Sequence, residues 1–299
     1  MRVIFDTDIG DDIDDAFALA LLTRLPEVSL EAVTTVHGAV SARARLALKM
    51  LAAAGRGQIP VYLGAVGEGE PSGTPAYAAW AEDWRETQIA QGGAAQFILS
   101  RLTAEPAGTF TLVAVGPLSN VAMVLRQEPG VAERLRRLVI MGGSVRVGYQ
   151  PDSPPCPEYN IRSDPQAAQV VLSSGASLLV VPLDATMMLQ PSRGQLDALA
   201  ASSDVLARAL HECLRLWGRG TPTLFDPMAV ACALEEPAAS GKASLPGQRR
   251  FVVTERLHLE VTPEGLTLER PDLPPNAEVA TGAKPQEFLD WYFRRLLRG

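Results

Sequence analysis

Residues 6–15 read DTDIGDDIDD, and six of the ten are aspartates with no lysine or arginine among them. Carboxylates this crowded repel one another, so the segment needs a cation among them or protons on some of them. Asp6 and Asp8 follow the short apolar run RVIF (2–5). Asp11, Asp12, Asp14 and Asp15 fill the turn and open the helical stretch AFALALL. Capping and the helix dipole favour acidic residues there by about 0.3–1 kcal/mol each, which accounts for one or two of them and not for six. An all-oxygen donor set selects a hard cation, Ca2+ or Mg2+. A cage of several carboxylates leans towards Ca2+, because Mg2+ keeps more of its water. The EF-hand order is absent, as is its closing glutamate. A phosphatase of the D-x-D-x-T/V type is a second candidate, but its fifth position is here Gly10 and no basic phosphate clamp stands nearby.

The elements that must position such a loop are legible as alternating patterns. RVIF (2–5), SLEAVTTV (29–36), FTLVAV (110–115), RLVIM (137–141) and SLLVVPL (177–183) are short continuous apolar runs, as in strands covered on both faces. Amphipathic stretches at 14–24, 41–54, 88–103, 118–126 and 164–173 separate them. This βαβ order predicts an α/β fold with a mostly parallel sheet and right-handed crossovers. In such sheets ligands sit beyond the carboxyl ends of the strands, where the aspartates fall. The Gly/Pro/Ala-rich stretch 64–86, with Trp80 and Trp84, has the composition of a flap. The proline-rich stretch 142–158 is a long loop of the kind that carries function. Residues 192–218 read as two helices and 226–234 as another. After 249 the pattern alternates like antiparallel strands with a turn at PEG, and PQEFLDWYFRRLL closes the chain as a helix. No linker or internal repeat divides residues 1–299, which are expected to form a single domain.

A formal charge of −7 argues against a duplex nucleic acid held through its phosphates. The three cysteines, Cys156, Cys213 and Cys232, are widely spaced and form no disulfide framework or CxxC pair. The first strand begins at once, so no signal peptide is expected, and no apolar run has the length of a membrane span. A cytoplasmic protein is expected.

DTDIGDDIDDAFAL resembles the N-terminal signature of the nucleoside hydrolase family, the inosine/uridine-preferring ribonucleoside hydrolases. AVTTVHGAV (32–40), LVAVGPLSNVA (112–122), VIMGGS (139–144), PEYNIRSDPQAAQVVL (157–172) and LFDPMAVACAL (224–234) are similar to its later segments, in the same order. The resemblance implies a Rossmann-like mixed sheet flanked by helices, and hydrolysis of the N-glycosidic bond of ribonucleosides to free base and ribose. It implies Ca2+ held by Asp8, Asp15, Asp226 and the carbonyl of Val115. It implies Asp14 as general base, Glu158 and Asn160 on the ribose hydroxyls, and dimers or tetramers. His37, at the end of the second strand, is a candidate ligand contact. Asn120 is a sugar-site candidate or a helix brace. Asp164 before Pro165 reads as a helix cap.

Three features depart from the family pattern. Five residues, IGDDI, separate Asp8 from Asp14 where the pattern has three, so Asp12 competes with Asp14 as the base. Phe225 replaces a histidine that in well-known branches protonates the leaving base. Ala39 stands where an asparagine commonly helps to hold the sugar. These departures keep two alternatives open: a hydrolase of another N-ribosyl compound, and a ribose- or nucleoside-binding protein that has lost catalysis. Asp6 is expected to orient the loop, and Asp11 to be a solvated turn residue.

Overall fold

Each apolar run is too short for a helix and needs partners on both edges, so the runs pair with one another. The computed structural model describes residues 1–67, 73–85, 88–150, 152–235 and 250–297. The elements are β1 (Arg2–Thr7), α1 (Asp14–Arg24), β2 (Ser29–Thr35), α2 (Val40–Ala53), β3 (Val61–Leu63), α3 (Ala94–Ala104), β4 (Phe110–Ala114), α4 (Ser119–Gln127), β5 (Arg137–Met141), α5 (Tyr159–Ser163) and α6 (Pro165–Leu172). There follow β6 (Leu178–Val181), α7 (Leu183–Thr186), α8 (Arg193–Ala201), α9 (Val205–Trp217), α10 (Phe225–Ala233), β7 (Val252–Leu257), β8 (Leu259–Val261), β9 (Thr267–Glu269), β10 (Ala277–Ala283) and α11 (Pro285–Leu297).

Among the described residues, eight strands form one sheet in the order β3-β2-β1-β4-β5-β6-β10-β7. Neighbours run parallel except β10 and β7, so the sheet is mixed and mostly parallel. Successive side chains on β4 enter opposite layers. Val113 packs with Phe17 of α1 and Met228 of α10; Leu112 and Ala114 pack with Ile98 of α3 and Val121 of α4. Both faces are therefore dry, which is why these strands read as continuous apolar runs. The order reverses between β1 and β4, and that reversal opens a crevice at their carboxyl ends.

The structure differs from the sequence reading at three places. The helix expected from 88 starts only at Ala94, because Gly92 takes φ 92° and Gly93 is extended. β10 (AEVATGA) carries too little apolar character to stand out, yet it lies between β6 and β7. The PEG turn does join an antiparallel pair, β8 and β9, but β7 pairs with β10 instead of its chain neighbour. Of the stretch 64–86, residues 68–72 and 86 lie outside the described residues. Within it, Tyr77 is buried and its hydroxyl donates to the carbonyl of Asp12 at 3.1 Å. No helix among the described residues is long and apolar enough to cross a membrane.

Candidate active site

β1 ends at Thr7 and α1 begins at Asp14, so the aspartates occupy one tight loop and one helix start. Gly10 has φ 133°, and a Cβ there would lie 2.5 Å from Cβ of Pro75; only glycine fits. The buried Thr7 hydroxyl donates to Asp15 and accepts the Ile9 N–H at 3.1 Å, tying the loop to the helix. α10 starts at Phe225, which puts Asp226 in its first turn, and the Asp226 N–H donates to Oδ2 of Asp14 at 3.1 Å.

Asp14, Asp15 and Asp226 each offer an oxygen within 4.8 Å of the others, and all three are buried. Asp8 lines the same cavity, which has a volume of about 410 Å3. Burial is the main force that raises the pKa of every one of these carboxyls. Asp8 goes to about 7, with Asp11 and Glu158 adding to the rise and Arg43 opposing it. Asp14, Asp15 and Asp226 are pushed well above the ordinary range, first by burial and then by one another. Four buried carboxyls that cannot all ionise unaided, offering only oxygen donors, fit a hard divalent cation. The carbonyl of Val115 also borders the cavity, at the end of β4, and accepts from Nδ2 of Asn160 at 2.7 Å.

The opposite wall belongs to the segment before α5. Glu158 caps that helix: its carboxylate accepts from the N–H groups of Gly143 (2.9 Å), Asn160 (3.0 Å) and Ile161 (3.2 Å). Burial raises its pKa and those three donors oppose the rise. Asn160 spends its amide hydrogens on the carbonyls of Val115 and Met141, which leaves Oδ1 as its acceptor for a ligand. The arrangement is an acidic floor with carboxylate and amide acceptors facing it, suited to a polyhydroxylated ligand.

The structure gathers Asp8, Asp12, Asp14, Asp15, Val115, Glu158, Asn160 and Asp226 around this cavity and leaves two candidates outside its lining. Asn120 is a brace. Its Nδ2 donates to Asp6 at 2.7 Å and to the Thr35 carbonyl at 3.1 Å, and its Oδ1 accepts the Ala65 N–H at 2.8 Å. His37 stands behind Tyr159, ring edge to face at 6.1 Å, and burial lowers its pKa. Asp12 accepts its neighbour's N–H (Ile13) at 2.7 Å. Asp6 is buried in β1, held by Thr34 and Asn120. Asp11 is not a free turn residue, because its carboxylate pairs with Arg43 at 2.6 Å. Asp164 caps α6 through the Ala167 N–H, with Pro165 next. Phe225 borders the cavity beside Asp226.

Three residues were missed by sequence reasoning. Arg43 is fully buried under the acidic loop. Its signal was present: it falls in the apolar stripe of α2 with Val40, Ala44 and Ala47, where a charge is out of place. Thr7 carries no signal beyond its place in the loop. Arg219, between Gly218 and Gly220 of left-handed φ, borders the cavity and acts on the Asp12 charge.

The model of the inosine-uridine preferring nucleoside hydrolase family matches residues 3–290. An uncharacterized protein of Schizosaccharomyces pombe is 33% identical over 261 residues, covering 81% of this chain and 83% of its own length. A probable uridine nucleosidase of Oryza sativa subsp. japonica is 33% identical over 200 residues, covering 62% of this chain and 57% of its own. The pyrimidine-specific ribonucleoside hydrolase RihA of Salmonella enteritidis PT4 is 29% identical over 264 residues, covering 79% of this chain and 80% of its own. Among solved structures, a plant nucleoside hydrolase superposes with TM-score 0.84 over 100% of this chain and 99% of its own, at 24% identity, and so shares the fold. With the sheet order, the acidic floor and a family match that runs almost end to end, the chain belongs to the inosine-uridine preferring nucleoside hydrolase family and is an N-glycosyl hydrolase.

Proposed function

We propose that this protein hydrolyses ribonucleosides to free base and ribose with one Ca2+ held by Asp8, Asp15, Asp226 and the Val115 carbonyl. The observation that carries the reading is the buried trio Asp14, Asp15 and Asp226 facing Glu158 and Asn160 across one cavity. Ca2+ bound there would supply Lewis-acid polarisation of a water and would attract ribose hydroxyls. Asp14, inside the trio, takes the water proton as the water oxygen attacks the anomeric carbon and the C–N bond breaks towards the base. Asp12 is the rival base. Glu158 and Oδ1 of Asn160 accept from the 5′- and 3′-hydroxyls and bear on the developing oxocarbenium charge. Burial keeps these acceptors in a low dielectric, where such contacts are stronger than in water.

Phe225 and Arg219 line the same cavity and are candidates to border the base. A phenyl ring donates no proton, so the base departs as an anion or takes its proton from solvent or from Tyr159, which also lines the cavity. That favours bases that leave readily, and it motivates a second reading in which another N-ribosyl compound is the better substrate. The similarity to proteins named for uridine and pyrimidine ribonucleosides supports uridine as the first substrate to try. Ribose release from uridine, cytidine, inosine and adenosine, with Ca2+ and after chelation, tests the proposal. No release from any of them with Ca2+ present would remove the ordinary activity. Release from a different N-riboside in the same assay would establish the second reading.

A further inference from the structure

An arginine with no exposed surface must hold partners that offset the loss of its hydration. Arg43 has four. Its Nε donates to the His37 carbonyl at 2.7 Å. Its Nη1 donates to the carbonyls of Asp8 and, at 3.2 Å, Ile9. Its Nη2 donates to Oδ2 of Asp11 at 2.6 Å. Three of these acceptors belong to the acidic loop. The fourth belongs to His37, two residues after β2, which turns with a left-handed φ of 66°. A guanidinium carries its donors in one rigid plane, so four acceptors that meet it at once are themselves fixed in space. From the other side, Gly116 closes on Asp8: a Cβ there would lie 2.8 Å from Asp8 Oδ1. Asp11 lies in the segment between Asp8 and Asp14 that is two residues longer than the family pattern.

We infer that Arg43, braced by Asp11, is a positioning residue for the metal: it sets the backbone of residues 8–11 so that the Asp8 carboxylate joins Asp14, Asp15 and Asp226. Through Asp11, Arg43 gives the longer loop a fixed shape. It touches neither substrate nor metal; it acts through Asp8. The inference rests on the proposed cation site.

Charge and position give opposite expectations. A positive group beside a cation site weakens cation binding by Coulomb repulsion, so on charge alone Arg43→Gln tightens Ca2+ binding and Arg43→Lys leaves it unchanged. If Arg43 positions the loop, both variants weaken it, Lys because an ammonium cannot span four acceptors in a plane. Supporting partners of metal ligands are typically worth 10–100-fold in affinity.

The experiment is Ca2+ titration calorimetry of the full-length, chelator-stripped protein. Wild type, Arg43→Lys, Arg43→Gln and Asp11→Glu are compared, with circular dichroism to check folding. The expected result is Ca2+ binding weakened about tenfold or more in both Arg43 variants, with kcat at saturating Ca2+ close to wild type. Unchanged affinity in Arg43→Lys with tighter binding in Arg43→Gln would overturn the inference. Asp11 is partly exposed, so Asp11→Glu decides the matter if the Arg43 variants do not fold. It keeps the charge and moves the carboxylate by one methylene; weaker Ca2+ binding supports positioning, and wild-type affinity overturns it. A wild-type protein that binds no Ca2+ removes the proposed function instead, which keeps the two failures distinct.

Discussion

Asp14 and Asp226 lie 212 positions apart in the chain, yet the Asp226 N–H donates to the Asp14 carboxylate at 3.1 Å. This bond joins the start of α1 to the start of α10 and leaves the second oxygen of Asp14 for the cavity. The acidic loop alone does not make the site; its closure by α10 does.

Asp14→Asn keeps an acceptor oxygen for the Asp226 N–H and removes the proposed base. The kcat for uridine is expected to fall roughly 10²–10⁴-fold, while ribose still raises the melting temperature. Asp12→Asn is expected to cost less than about tenfold in the same assay, outside the range of a lost general base. A larger loss in Asp12→Asn than in Asp14→Asn would transfer the base to Asp12.

Glu158→Gln tests the sugar wall. The carboxylate accepts three backbone N–H groups, and an amide puts a donor where one of its oxygens accepted. With about 1.5–3 kcal/mol for a charged hydrogen bond, kcat/KM is expected to drop about 10–100-fold. A nucleoside lacking the 5′-hydroxyl should lose less from this substitution than uridine does. Equal losses for both would show that Glu158 does not contact that hydroxyl.

Metal removal should couple to pH. Without a cation, burial raises Asp6 to about 6 and Asp8 to about 7 from the ordinary 3.8, and it raises Asp14, Asp15 and Asp226 as well. A folded pKa above the unfolded one means that the native chain binds more protons. Its stability is then highest below the unfolded value and falls as pH rises through the folded one. Chelated protein is expected to lose melting temperature between roughly pH 4 and pH 7. Ca2+ favours the ionised carboxylates, so the gap between loaded and stripped protein widens as pH rises. Parallel curves from thermal scans across that range would contradict this.

The proposed mechanism, with Phe225 where an acid would stand, is tested by the leaving group. A riboside with an activated phenolate leaving group is expected to be cleaved much faster than inosine. Phe225→His should raise inosine turnover, by up to the roughly 10²–10⁴-fold that a positioned acid supplies, and leave the phenolate riboside nearly unchanged. Equal effects on both substrates would show that the ring at this position acts on binding and not on proton supply.

The helix cap at Asp164, the parallel core strands and the identity of the acidic loop were legible in the sequence, because each depends on neighbours close in the chain or on local apolar runs. Six aspartates in ten residues required a cation or protons whatever the fold, since like charges at that spacing repel in any conformation. What the local pattern could not reveal were the long-range partners: Thr7 on Asp15, Asn120 on Asp6 and Arg43 on Asp11. Asn120 serves as a brace and Asp11 as half of an ion pair because burial requires each polar group to find a partner, and the partners come from distant elements. The sequence by itself determined the chemistry of the floor, an oxygen cage for a hard cation. Only the tertiary structure brought distant groups to it, because the carboxyl ends of the neighbouring strands β1 and β4 and the start of α10 meet at one cavity lined by Asp8, Val115 and Asp226.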